Sequence, residues 1–250
     1  LNEQLARLDT DCIDMYLIHN INQSVWSQMS KYNTLDFLEK KKAEGKIRYI
    51  GFSFHDEFDL FKEAIEAYPW DFCQIQLNYM DVELQAGVKG LKLAGSLGIP
   101  VIVMEPLKGG KLTDALPQSI KDFWAQAQVE RTPAEWALDF LWNQPEVGVV
   151  LSGMSSMQQV RDNLKYAGRS SVNMLLGREL ERIAGARAAY RALAKVPCTN
   201  CGYCLPCPFG LDIPALYKAY NLAAYDTAEN ARKAYGEQAV KADACQSCMK

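Results

Sequence analysis

The sequence contains no apolar run that approaches the roughly 20 residues needed to cross a bilayer. It also has no excess of basic residues, because 27 Lys and Arg are set against 30 Asp and Glu. The first ten residues, LNEQLARLDT, are polar and amphipathic and do not resemble a secretory signal. We therefore expect no membrane segment, no nucleic-acid partner and a cytoplasmic location.

Cysteine is scarce over most of the chain and concentrated near its end. Six of the eight cysteines follow residue 197: Cys198, Cys201, Cys204, Cys207, Cys245 and Cys248. A disulfide framework is typical of small secreted proteins, whereas the rest of this chain has the composition of a cytosolic one. In a reducing compartment, thiols clustered in this way indicate metal ligands.

Five short apolar runs predict β-strands, at residues 12–19, 47–54, 72–80, 99–107 and 147–154. Helical patterns separate them, and this alternation is typical of βαβ units and a parallel sheet. A spacing of about 25–35 residues per unit suits a (β/α)8 barrel. Five units do not close such a barrel, so either the sheet is open or three further units precede these.

The ends of these strands resemble strands four to eight of the aldo/keto reductase family. The matching segments are RLDTDCIDMYLIHN, EGKIRYIGFSFHD, FCQIQLNYMD, VIVMEPLKGGKL and VLSGMSSMQQVRDNL. The resemblance implies an α/β fold in which residues 1–170 form part of a (β/α)8 TIM barrel. Residues 171–195 are then a connecting helix, and residues 196–250 a small, Cys-rich, ferredoxin-like α-helical module.

In that family, strands one to three carry the catalytic Asp, Tyr and Lys, and none of these strands has a counterpart here. We therefore expect the sequence to be a fragment that lacks about 80–100 upstream residues and the end of the chain. Expressed alone, such a fragment is expected not to turn over carbonyl substrates.

The resemblance assigns roles at the strand ends. His19 corresponds to the imidazole that donates a hydrogen bond to the substrate carbonyl as hydride arrives. Ser53 and Gln76 correspond to residues that hold the nicotinamide carboxamide. Phe54 stands where the family has Asn, and Met104 stands where it often has a Tyr that stacks on the nicotinamide.

The resemblance also assigns residues that bind the rest of the dinucleotide. The backbone of a segment containing Pro106, Leu107 and Gly109 is expected to approach the pyrophosphate. The start of the last helix is expected to bind the adenosine phosphate through backbone N–H groups; its residues are Gly153, Met154, Ser155, Ser156, Gln159 and Asn163. The family favours NADP. Gly153 and Gln159 occupy positions that are basic in NADP-binding members, which favours NAD unless Arg161, one turn away, supplies the cation.

The cysteine segment resembles a branch of this family that carries ferredoxin-type [4Fe–4S] clusters. Cys198, Cys201, Cys204 and Cys207 precede Pro208 as in a ferredoxin run, and Cys245 and Cys248 begin a second run. Zinc is the competing interpretation, because paired C-x2-C units also suit tetrahedral sites.

The sequence thus predicts an NAD(P)-dependent aldo/keto-reductase-type oxidoreductase with iron–sulfur clusters for electron transfer or structure. Its expected partners are a small carbonyl or alcohol substrate and, if the clusters transfer electrons, a redox partner protein. Two alternatives stay open: a non-catalytic nicotinamide-binding regulatory or electron-transfer protein, and a zinc-stabilised binding module.

Overall fold

The computed structural model describes residues 1–113, 116–196, 198 and 204–248. The chain divides into two compact units. The first comprises Leu1–Gly109 and Ala134–Leu176, and the second comprises Gly110–Pro133 and Gly177–Lys250. Among the described residues, no helix is both long enough and apolar enough to cross a membrane.

The first unit alternates strands and helices along the chain. Its strands are β1 (Ile13–Ile21), β2 (Ile47–Phe54), β3 (Phe72–Gln76), β4 (Val101–Met104) and β5 (Val147–Val150). Its helices are α1 (Asn2–Leu8), α2 (Gln23–Lys31), α3 (Thr34–Ala43), α4 (Phe58–Glu66), α5 (Gly87–Ser96), α7 (Pro133–Trp142) and α8 (Met157–Arg169). The second unit contains α6 (Gln118–Ala125), α9 (Gly177–Ala192), α10 (Ile213–Tyr225) and α11 (Ala228–Gly236).

The five strands form one parallel sheet in the order β1-β2-β3-β4-β5. Each strand therefore pairs with its successor in the chain. Because crossovers between parallel strands are right-handed, an order that never reverses places every connecting helix on the same face of the sheet. This arrangement is that of a barrel wall and differs from a doubly wound sheet, in which the order reverses.

The helix-covered face of the sheet forms an aromatic core. Phe52 and Phe54 of β2 are fully buried and contact Phe61 of α4, with ring centroids 6.0 and 5.1 Å away. Trp70, which precedes β3, lies 4.7 Å from the ring of Phe52. Helix α4 contributes because its buried side chains, at positions 60, 61, 64 and 65, follow helical spacing.

The opposite face of the sheet is more open. Met15 pairs with Tyr49, so these two side chains share the face that the helices leave uncovered. Met15, Tyr49 and Val149 are each nearly half exposed, whereas Phe72 on the same face is buried. Parts of this face therefore carry apolar side chains without the burial seen on the other one.

Three predicted strands end earlier than the sequence suggested. β3, β4 and β5 stop at Gln76, Met104 and Val150 instead of continuing to residues 80, 107 and 154. After β4, Glu105 takes a left-handed φ of 58°, which lies outside the extended region of a regular strand. The apolar residues that follow these strands lie in loops at the sheet edge.

The first unit also contains a charged cluster in which two buried carboxylates face a 41% exposed arginine. Arg169, at the end of α8, forms ion pairs with Glu135 and, at 3.1 Å, with Asp139 of α7. The Asp139 side chain is fully buried, and that of Glu135 is 10% exposed. The cluster joins α7 to α8.

The second unit is helical and uses aromatic, amide and ionic contacts. The Arg182 guanidinium lies 3.9 Å from the ring centroid of Phe123, and Arg131 forms a buried ion pair with Glu179. The Asn221 side chain donates to the Val196 carbonyl at 2.7 Å and accepts from the Val196 N–H at 2.9 Å. These contacts tie α6 to α9, and α10 to the end of the segment that follows α9.

Candidate active site

The carboxyl ends of parallel strands meet at one edge of a sheet, where enzymes of this architecture place their functional groups. Four residues predicted as site residues lie at or near such ends: His19, Ser53, Gln76 and Met104. The structure thus brings side chains from β1, β2, β3 and β4 to one edge of the sheet.

His19 is exposed near the end of β1. It lines a cavity of about 750 Å³, together with apolar residues of β1 such as Ile13 and Leu17 and with Phe37 and Leu38 of α3. The imidazole is therefore accessible to a ligand instead of being packed inside the core.

Ser53 is 1% exposed, and its hydroxyl oxygen accepts a hydrogen bond of 2.8 Å from the backbone N–H of Asn20. Asn20 has a left-handed φ of 59°, and the register between β1 and β2 shifts at this point. Ser53 therefore holds the backbone beside His19. Its hydroxyl keeps its own proton for donation.

Gln76 and Met104 are register partners at the ends of β3 and β4. The Met104 sulfur accepts from the Gln74 side chain at 3.4 Å. Both Gln76 and Met104 are half-buried, so an amide and a thioether lie side by side at the sheet edge. A flat ring with an amide substituent could contact both groups.

A cluster of polar side chains lies immediately beside Gln76. It was not among the sites expected from the sequence. The Asp81 carboxylate forms an ion pair with Lys108 and accepts from Asn78 at 3.1 Å and from Gln76 at 3.4 Å. The Asn78 oxygen accepts from the backbone N–H of Asp81 at 2.9 Å. The segment Asn-x-x-Asp directly after a strand was a turn signal that could have pointed to these residues.

The segment after β4 has an unusual backbone. Glu105, Lys108, Gly109 and Gly110 all have positive φ, with values of 58°, 50°, 62° and 85°. A Cβ added at Gly109 would meet no atom within 4 Å, so conformation and not crowding favours glycine there. Pro106 is buried, Leu107 is half-buried and Gly109 is exposed, which leaves the backbone at Gly109 open to a ligand.

The start of α8 is already hydrogen-bonded within the chain. Ser156 caps the helix by accepting from the Gln159 N–H at 3.2 Å. The Gln159 side-chain oxygen in turn accepts from the backbone N–H groups of Ser155 and Ser156, at 2.8 and 3.2 Å. A phosphate binding to these two N–H groups would have to displace the Gln159 side chain.

Two further predicted residues flank this capping box. Gly153 and Met154 are exposed, and Gly153 has no atom within 4 Å of an added Cβ. Asn163 donates to the Ser152 hydroxyl at 2.9 Å and so ties α8 to the segment after β5. Most of the predicted adenosine region is thus open surface.

The cysteines predicted as metal ligands lie in the second unit. Cys198, Cys245 and Cys248 are exposed, and Cys204 and Cys207 are half-exposed, none of them in a disulfide. Cys245 lines an apolar cavity of about 710 Å³ between α10 and α11. Cys201 lies outside the described residues. Within the described part of the chain, no three His, Cys, Asp or Glu side chains form a group that could hold a metal ion.

The family model of the aldo/keto reductase family matches residues 1–172, a span that contains all five strands. The chain belongs to the aldo/keto reductase family. The match ends at residue 172, before the cysteine-rich segment.

Named relatives agree with this assignment. The chain is 28% identical over 182 residues to L-galactose dehydrogenase of Arabidopsis thaliana, covering 66% of this chain and 55% of that protein. It is 27% identical over 190 residues to the NADH-specific methylglyoxal reductase of Escherichia coli, covering 64% of this chain and 56% of that protein. The chain thus spans about half the length of these two relatives.

Solved structures support the fold. The holo form of aldo-keto reductase AKR11C1 from Bacillus halodurans superposes with a TM-score of 0.62 at 24% identity, covering 74% of this chain and 62% of that one. An aldo-keto reductase from Klebsiella pneumoniae in complex with NADPH gives a TM-score of 0.56 at 24% identity, with coverages of 74% and 62%. At this identity the likeness establishes the α/β fold with its parallel sheet.

Proposed function

We propose that this chain is the cofactor- and substrate-binding part of an NAD(P)-dependent oxidoreductase that interconverts small carbonyl compounds and alcohols. The observation that supports this best is the pairing of Gln76 and Met104 at the edge where His19 is exposed. Gln76 offers an amide to the nicotinamide carboxamide, and Met104 offers a soft apolar surface to the ring. A bound nicotinamide would supply the hydride.

His19 is the proposed hydrogen-bond donor to the substrate carbonyl. A neutral imidazole N–H, or either N–H of the charged ring, can donate to the substrate carbonyl oxygen, which becomes negative as it is reduced. Ser53 supports this role because its bond to Asn20 fixes the backbone next to His19. The other of the two histidines, His55, follows the end of β2 and provides a comparison ring.

For the cofactor, the surface at the start of α8 favours NAD over NADP. Gln159 is neutral and is bound to the backbone N–H groups of Ser155 and Ser156. Neither Gln159 nor Gly153 supplies a cation for a 2′-phosphate. The aldo-keto reductase from Klebsiella pneumoniae was solved in complex with NADPH. The proposal therefore implies that family members differ in which of the two dinucleotides they bind.

Dinucleotide binding tests the proposal directly. Calorimetric titration of the chain with NAD(H) and with NADP(H) should give heats that saturate as the dinucleotide binds. Gln76→Ala should weaken binding by about tenfold, the value of one hydrogen bond near 1.4 kcal/mol. Gln118→Ala on the exposed surface of α6 is the matched control and should not change it. Absence of binding by the unaltered chain would refute the proposal.

NMR signals of the two histidine rings test the role of His19. With cofactor bound, addition of a small carbonyl compound should shift the His19 ring signals more than those of His55, which follows β2 at the same edge of the sheet. Shifts confined to His55, or no shift in either ring, would contradict the assignment of His19.

We also propose that the cysteine-rich segment binds a [4Fe–4S] cluster. The support is chemical: four cysteines at C-x2-C spacing precede Pro208, and the described ones carry no disulfide. The described thiols do not by themselves form a group that could hold a metal ion. Anaerobic purification followed by metal and sulfide analysis should yield iron with acid-labile sulfide and a brown colour. Colourless protein with stoichiometric zinc would favour the zinc-stabilised alternative.

A further inference from the structure

The Asp81 carboxylate lies at the centre of the polar cluster beside the proposed nicotinamide site. One of its oxygens, Oδ2, accepts from Asn78 at 3.1 Å, from Gln76 at 3.4 Å and from the Lys108 ammonium. The Asp81 side chain is 15% exposed, so these donors and not bulk water supply most of its hydrogen bonds. Three donors on one oxygen make a well-defined anchor.

An ionised carboxylate accepts hydrogen bonds and does not donate them. Of the two ends of the Gln76 amide, only the NH₂ group can therefore face Asp81. The Gln76 carbonyl oxygen then points away from Asp81. Without such a partner, an amide at a sheet edge could rotate and present either its donor or its acceptor end to a ligand.

The rest of the cluster holds Asp81 in place. Asn78 is fully buried, and its oxygen accepts from the backbone N–H groups of Met80 and Asp81 at 3.0 and 2.9 Å. Its NH₂ group also donates to the Glu105 carbonyl at 3.2 Å. Lys108 comes from the segment after β4. The carboxylate is thus fixed from both the β3 and the β4 side of the site.

We propose that Asp81 is a positioning residue that orients the Gln76 amide so that its oxygen accepts from the carboxamide NH₂ of a nicotinamide cofactor. The proposal rests on the proposed function. Its consequence is selectivity: the site accepts a nicotinamide ring and rejects the nicotinic acid ring, whose carboxylate has no proton to donate to the Gln76 oxygen.

The experiment compares three ligands on the full chain: NAD⁺, its nicotinic acid counterpart with a carboxylate on the ring, and ADP-ribose, which lacks the ring. Asp81→Asn keeps the size of the side chain but allows it to donate a hydrogen bond. The Gln76 amide can then flip and exchange the positions of its oxygen and its NH₂ group. We expect the preference for NAD⁺ over the nicotinic acid dinucleotide to fall about tenfold. ADP-ribose affinity should change less than about twofold, since Gln76 does not contact that half of the cofactor.

Asp59→Asn is the matched control, because Asp59 is an exposed acid in the first turn of α4 and its replacement removes the same charge. It should leave all three affinities unchanged. Lys108→Met is a second variant at the surface of the cluster. It frees the Asp81 carboxylate to turn away from Gln76. It should therefore lower the preference for NAD⁺ over the nicotinic acid dinucleotide, by a smaller factor than Asp81→Asn does.

The outcomes separate the inference from the proposed function. If Asp81→Asn weakens all three ligands equally, or leaves the NAD⁺ preference unchanged, the positioning role is wrong although dinucleotide binding stands. If the unaltered chain binds none of the three ligands, the proposed function fails and the inference fails with it. If Asp81→Asn does not fold, an unchanged preference in Lys108→Met overturns the inference.

Discussion

The two units of this chain are built by different means. The largest fully buried side chains among the described residues, including Trp136, Tyr79, Phe52 and Phe61, all belong to the first unit. The second unit has buried residues such as Ile183, but it leaves Phe209 and Tyr220 43% and 58% exposed. A parallel sheet with helices on one face buries large side chains in a continuous layer. The second unit buries its largest side chains less completely, since Trp124 and Tyr190 are 5% and 6% exposed.

This difference indicates how each unit is stabilised. The first unit depends mainly on the apolar area that β2, β3 and α4 remove from water. The second unit has a smaller set of buried apolar side chains, such as Ile120 and Ile183, and adds particular pairs, such as Arg131 with Glu179 and Asn221 with Val196. Because it has the smaller core and carries accessible thiols, a bound metal would add more to the stability of this unit than to that of the first.

The sharpest test of the comparison is the aromatic core. Phe52→Ala should lower the free energy of unfolding by about 3–5 kcal/mol, because it leaves a cavity between Phe61 and Trp70. Phe209→Ala in the second unit should cost less than about 0.5 kcal/mol, since that ring is exposed. Urea unfolding followed by near-ultraviolet circular dichroism measures both. Equal costs would show that the two units do not differ as described.

Ion pairs to buried carboxylates occur in both units and differ in the exposure of the arginine. Arg131→Met should destabilise by about 3 kcal/mol, because the side chains of Arg131 and Glu179 are only 10% and 6% exposed and Glu179 loses its cation. Arg169→Met should cost less, about 1–2 kcal/mol, because the Arg169 side chain is 41% exposed and water can replace part of its interaction with Asp139 and Glu135. Arg161→Met, at an exposed position of α8, is the control. A much smaller effect at Arg131 would contradict the dependence of the second unit on that pair.

Thiol reactivity should separate the units clearly. Burial raises the pKa of the Cys73 thiol to about 12, so alkylation at pH 8 should be at least ~100-fold slower there than at Cys198 or Cys248. The stability that comes from keeping Cys73 protonated is complete below the pKa of the unfolded thiol. It is lost as the pH rises towards 12, because the unfolded chain then ionises first. Mass spectrometry of metal-free protein over time measures the labelling; rapid modification of Cys73 would contradict its burial.

The smallest expected effect concerns the α8 capping box. Gln159→Ala removes the acceptor for the N–H groups of Ser155 and Ser156, and it should lower stability by about 1 kcal/mol. Gln158→Ala, which removes only an exposed contact with Asp162, is the control. Because the same change exposes two backbone donors, it should not weaken dinucleotide binding. A loss of binding in Gln159→Ala would mean that its side chain contacts the cofactor.

Much of the fold was predictable from the sequence, because apolar runs and helical periodicity are local signals. The five strands, their parallel arrangement and the helices between them were confirmed. The ends of β3, β4 and β5 were wrong, since apolar residues in an edge loop have the same composition as strand residues. The capping box at Ser156 and Gln159 was also missed, although its S-x-x-Q spacing is visible in the sequence.

The candidate site was predictable to a smaller extent. The resemblance placed His19, Gln76 and Met104 at strand ends, which is where the structure has them. It did not indicate Asp81, Asn78 or Lys108, because these residues come from two separate loops. The predicted phosphate-binding role of the α8 N-terminus did not anticipate that the Gln159 side chain already accepts from two of its N–H groups.

The sequence by itself determined the alternation of strands and helices, the family and the chemistry of the side chains at the strand ends, since periodicity and motifs are written in consecutive residues. Only the tertiary structure decided which of those side chains meet. The register between β3 and β4 pairs Gln76 with Met104, and the loops after both strands bring Lys108 to Asp81. Contacts between residues distant in the sequence depend on that register, which no local pattern specifies.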